Sequence, residues 1–162
     1  MPPYRLQTLL ELRERAQEEA EKAFSNAVRA LEKEKAEQTR LEEELEKRKA
    51  ERKQKVTAYL QQVMARGAGV NGLTLMNRHE ERLKDEEAQL ALEVERQKEA
   101  VQSAEQWVEQ KRREMAETAK ELKAIEKHKE NWKKQVKYER QQREEMTQEE
   151  IGQALFQARQ RK

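Results

Sequence analysis

Apolar residues recur along the second half of this chain at alternating steps of four and three. From Leu83 the steps land on Leu83, Glu87, Leu90, Val94, Gln97, Val101, Ala104, Val108, Lys111, Met115, Thr118, Leu122, Ile125, Lys129, Trp132, Val136, Glu139, Arg143 and Met146. Twelve of these nineteen are apolar, against 35% for the whole chain, and the phase never skips. A two-position seam repeating every seven residues is the signature of a coiled coil rather than of a wider globular face. The first half steps the same way through Leu6, Leu10, Arg13, Gln17, Ala20, Phe24, Ala27, Leu31, Glu34, Gln38, Leu41, Leu45 and Arg48. Arg52, Val56, Tyr59 and Val63 then need one extra residue of phase near Arg52, a stutter that relaxes the supercoil locally.

The breakers divide the pattern once. Pro2 and Pro3 stand at the start, and three of the four glycines are Gly67, Gly69 and Gly72. Strong helix formers fill the rest. The expected fold is all-α: two long helices forming an antiparallel coiled-coil hairpin with a Gly-rich tip. Arm one covers about residues 4–66, the tip about 67–72, arm two about 73–146, and a C-terminal overhang about 147–162. A turn centred near Gly69 to Gly72 predicts pairs whose numbers sum to about 140 by hairpin geometry, and the two seams match at 142. Leu10 then faces Trp132, Leu41 faces Val101 and Tyr59 faces Leu83. The same register sets the basic run Lys47, Arg48, Lys49, Arg52, Lys53 and Lys55 beside Asp85, Glu86, Glu87, Glu93 and Glu95. Complementary flanking charge selects partner and orientation in coiled coils. A parallel homodimer explains the heptads but not this internal match, so the hairpin is expected to be a monomer in isolation.

Composition narrows the function. The chain has 162 residues, of which 35 are basic and 33 acidic, with a formal net charge of +2. Such a chain supports a core one seam thick, not a globular interior. There is no cysteine for thiol chemistry or disulfides. No apolar run suggests membrane insertion, and Met1-Pro2-Pro3-Tyr4-Arg5 does not open like a signal peptide. The expected location is cytoplasmic. No phosphate loop, nucleophile–base arrangement or metal-ligand spacing stands out, and His79 and His128 are isolated. The expected protein is not an enzyme and uses no cofactor or metal. Mixed charge along both arms argues against nucleic acid as a partner.

Candidate contact residues lie at the ends. Val70, Leu73, Leu75 and Met76 cluster at the tip, where an opposing arm cannot cover them all. At the other end the expected contacts are Leu6, Met146, Ile151, Leu155 and Phe156. Thr147-Gln148-Glu149-Glu150 reads as a capping box that restarts a helix after a kink, with Ile151, Leu155 and Ala158 on one face. That segment is either a frayed tail or a docking helix. Trp107 precedes the seam position Val108 and is expected to be half exposed.

The opening Leu6-Gln7-Thr8-Leu9-Leu10-Glu11-Leu12-Arg13, the alanine-spaced first arm, the tip Gly67-Ala68-Gly69-Val70-Asn71-Gly72 and the basic tail Arg159-Gln160-Arg161-Lys162 carry a family likeness. The chain resembles the central-stalk proteins of type III secretion, the FliJ/YscO family of flagella and injectisomes. The resemblance implies a two-helix stalk like that of the rotary ATPase gamma subunit. It implies a place in the pore of a hexameric secretion ATPase at the cytoplasmic face of the apparatus, with an export-gate protein as second partner. On that likeness the termini enter the hexamer, the tip faces the gate, and the stalk stimulates hydrolysis and couples it to export. Some members of the family also imply an escort or adaptor role toward export chaperones. A generic helical tether and a nucleic-acid-binding arm remain as alternatives.

Overall fold

The computed structural model describes residues 2–67 and 69–161. Two helices account for nearly all of them: α1, Gln7–Arg66, and α2, Val70–Gln160. They pack as an antiparallel hairpin, and the all-α expectation holds. Two packed units divide the pair. One joins α1 up to Lys22 with α2 from Arg113, and the other runs from Ala23 to Arg112.

The predicted seam of α2 is the face that leaves water. Every stepped position from Leu83 to Val136 is buried or half-buried, and only the last three, Glu139, Arg143 and Met146, are exposed. In α1 the stutter falls one turn earlier than the sequence suggests. Arg48 is exposed and Lys49 is half-buried, so the extra residue enters between Leu45 and Lys49.

The register differs from expectation by one heptad. In the unit from Ala23 to Arg112, Leu41 packs with Leu90 and Val94, supported by Leu45, and does not face Val101. In the same unit Gln97 donates to the Glu34 carbonyl at 2.9 Å, and Arg52 approaches Glu80 at 3.6 Å. In the other unit Gln17 accepts from Thr118 at 2.7 Å, and Gln7 accepts from Lys129 at 2.8 Å. The turn explains the slip. α2 begins at Val70, so Asn71 and Gly72 are helical and arm two starts earlier than residue 73. Gly67, immediately after α1, has φ +63°, the left-handed conformation that ends helices and suits glycine. The Gly72 N–H bonds the Gly69 carbonyl at 3.0 Å. A shorter connection moves every pairing about seven residues toward the tip, and a seven-residue slip keeps both seams face to face.

Two further expectations change at the ends. Helix α1 starts at Gln7, not Tyr4. Pro2 and Pro3 contribute no backbone donors, and Tyr4 folds back so that its carbonyl accepts the Gln7 N–H at 3.2 Å. At the other end α2 continues to Gln160 without restarting at Thr147. The Thr147 hydroxyl bonds the Arg143 carbonyl at 2.8 Å instead of capping a new helix. With no proline or glycine between Leu73 and Thr147, nothing ends the helix there.

Candidate partner-binding site

At the tip, the polypeptide chemistry is apolar and unpaired. Val70 is 79% exposed and Met64 84%, with Leu60, Leu73 and Leu75 also exposed. Of the four tip residues expected from sequence, Met76 alone is half-buried. It joins Lys55, Val56, Tyr59, Leu75 and His79 around an open cleft of about 250 Å³ between the helices. Tyr59 is held there by its hydroxyl, which donates to the Gly72 carbonyl at 3.2 Å. Met64 and Leu60, on α1, were outside the sequence expectation. They lie off the heptad seam close to the turn, a signal the two-position pattern does not weigh.

Below the tip the seam turns polar. Arg52 bonds Glu87 and also approaches Glu80 at 3.6 Å. The Arg52 and Glu87 side chains are only 16% and 10% exposed. Glu87 is the one buried charged residue among the described residues. A fork-shaped guanidinium between two carboxylates satisfies a charge that the thin core otherwise excludes. Trp107 is 49% exposed, and the Lys111 ammonium lies 4.4 Å from its ring centroid, a cation–π contact that covers one face.

The terminal unit carries the other candidate surface. Residues 137–161 are exposed throughout, although α2 remains helical to Gln160. Met146, Ile151, Leu155 and Phe156 all stand out in water here. Leu6 does not share that character. It is half-buried and borders a cleft with Tyr4, Arg5, His128 and Trp132. Tyr4, only 8% exposed, closes this end of the hairpin. Its hydroxyl and His128 Nδ1 share a hydrogen bond of 2.6 Å, and its ring centroid lies 5.0 Å from that of Trp132. Sequence periodicity misses Tyr4 because the residue precedes the helix. Deeper in this unit Arg13 pairs with Glu121 across the seam.

Among the described residues no group of three His, Asp or Glu side chains is placed to hold a metal ion. Among them, too, no helix is long and apolar enough to cross a membrane. The clefts around Tyr59 and around Trp132 are open grooves between helix faces.

The architecture defines a two-helix coiled-coil protein. The model of the YscO-like protein family matches residues 1–162, and the chain belongs to that family of type III secretion proteins. It is similar in structure to CT670 of Chlamydia trachomatis, a protein assigned as a YscO homolog. The TM-score is 0.84 at 28% identity, over 100% of this chain and 99% of that one. No curated protein matches the sequence. YscO-like proteins are structural components of the secretion apparatus, and this chain is stalk-like in that sense.

Proposed function

We propose that the chain is a non-catalytic central stalk at the cytoplasmic face of a type III export apparatus. In this reading its unpaired C-terminal helix enters the pore of the hexameric secretion ATPase and stimulates hydrolysis. The tip carries Val70, Leu73, Leu75 and Met76 toward the export gate.

The observation that supports this most is the extension beyond Val136. It remains helical with no partner helix, and it holds Met146, Ile151, Leu155 and Phe156 in solvent. A single helix is about 10–12 Å wide, half the width of a pair, and suits a narrow axial pore. An exposed apolar set on a stable helix suits ring-shaped packing against surrounding subunits. The test is to titrate the purified chain into the secretion ATPase of the same apparatus and follow phosphate release. A rise in hydrolysis rate that saturates with bound chain is the expected result. Absence of both binding and any rate change would remove the stalk reading.

Escort of export chaperones is a second reading, favoured by the exposed apolar tip. Capture of purified export chaperones by a chain that leaves the ATPase unaffected would favour it.

A further inference from the structure

One stretch of this charge-rich chain contains no acid. From Arg52 to His79 there are 28 residues and no Asp or Glu, but Arg52, Lys53, Lys55, Arg66 and Arg78 are present. At the chain's average of 33 acids in 162 residues, such a window would hold about six. The gap matters because it is also a spatial unit. Arg52 meets Glu80, the first acid after the gap, at 3.6 Å, so the two ends of the acid-free segment touch. Everything beyond that contact, about 20 Å of hairpin at helical rise, is free of carboxylate side chains.

Arg52 is paired, but among the described residues the other cations there are not. Elsewhere Arg40, Arg48, Lys84, Lys98, Lys134 and Arg140 each pair with a glutamate on their own helix. Among the described residues, Lys53, Lys55, Arg66 and Arg78 have no such partner, and all four are exposed. Lys55 lines the cleft floored by Val56, Tyr59 and Met76, and the exposed apolar side chains Leu60, Met64, Val70, Leu73 and Leu75 lie on the same acid-free end. Both components of an interface are therefore present at one end of the hairpin: apolar surface and charge of a single sign.

We infer that the tip docks an acidic amphipathic helix of a partner protein, whose apolar side chains enter the Val56–Tyr59–Met76 cleft while its carboxylates meet Lys55 at the cleft and the other cations of the acid-free end. The inference rests on the reading that the tip is a partner-binding end, and adds the chemistry of what binds. A concave cleft between two helices favours a protein helix over a bilayer surface. A bilayer is better matched by one helix lying flat with a continuous basic stripe.

The experiment uses the full chain and a fluorescent synthetic helix of about sixteen residues patterned with leucine and glutamate, read by anisotropy. Its twin carries glutamine at every glutamate. Vesicles containing phosphatidylserine form a third arm. The glutamate helix is expected to bind at least tenfold tighter than the glutamine helix, and to weaken as salt rises. The double variant Lys55→Glu with Arg78→Glu should lose that advantage. Met76→Gln should weaken both helices while the circular dichroism spectrum stays helical. Equal binding of the two helices, no binding of either, or binding to vesicles alone would overturn the proposal. ATPase stimulation is measured on the same variants. Stimulation that persists while the peptide arms fail removes this inference and leaves the stalk standing.

Discussion

Arg52 reaches across the hairpin to Glu87, with Nε 2.7 Å from Oε1, and both side chains are nearly buried. This is the most deeply buried of several polar contacts across the seam. Removing one partner leaves an uncompensated charge where water is scarce, which costs about 3 kcal/mol. Arg52→Leu should therefore lower unfolding free energy by about that amount in a urea titration. The double variant Arg52→Leu with Glu87→Leu should recover most of the loss, because a leucine pair packs at such positions. Strict additivity of the two single losses would show that the pair is not coupled.

The register itself is open to a covalent test, because the chain has no cysteine of its own. Leu41→Cys with Val94→Cys should oxidise readily to an intramolecular disulfide. Leu41→Cys with Val101→Cys should not, since Leu41 packs against Leu90 and Val94. Mobility on a non-reducing gel after mild oxidation distinguishes them.

Tyr4 closes the hairpin's terminal end through His128 and Trp132. Tyr4→Ala should cost about 2–3 kcal/mol, because the ring packs in a core only one seam thick. In a Trp107→Phe background, emission then reports Trp132 alone, and Tyr4→Ala should shift it to longer wavelength. Tyr4→Phe keeps the ring and should lose only about 1 kcal/mol.

Truncation after Lys137 removes a stretch of helix whose described residues are all exposed. Thermal melting of the remaining hairpin should be nearly unchanged. Stimulation of the secretion ATPase should disappear. A large fall in melting temperature would show that the extension stabilises the pair.

Glu37 accepts hydrogen bonds from Arg40, which hold its carboxyl below the usual glutamate range. A lowered folded value gives stabilisation that is present above the unfolded value and fades as pH falls through the folded one. The pair is solvent-exposed, so the effect is on titration more than on folding. In an NMR pH titration Glu37 should move up toward an ordinary glutamate when Arg40 is replaced by Gln.

The seam was readable because its period is carried by many residues at once. Leu90, Val94 and Val101 are buried where a step of four and three puts them. The register was not, for a physical reason: moving one arm by a heptad returns every seam position to a seam position. The basic run offered no arbitration either, because acids occur at Glu80 and Glu81 as well as beyond Asp85. Only the geometry at Gly67 distinguishes the two registers, and its positive φ is a tertiary choice among several glycines. Of the contact residues, Val70 and Leu155 were legible as apolar positions without an opposing arm. Leu6 is half-buried beside Tyr4, a residue that lies before the helix, where periodicity does not apply.

Helix α2 runs unbroken from Val70 to Gln160, yet only its part up to Val136 has a seam to lean on. Amide protons should therefore exchange along a gradient within one continuous hydrogen-bond ladder. They are slow where a second helix must open too, and fast where propensity alone holds the turn closed. A partner gripping the extension would flatten that gradient, leaving a footprint in exchange rates confined to residues after 136.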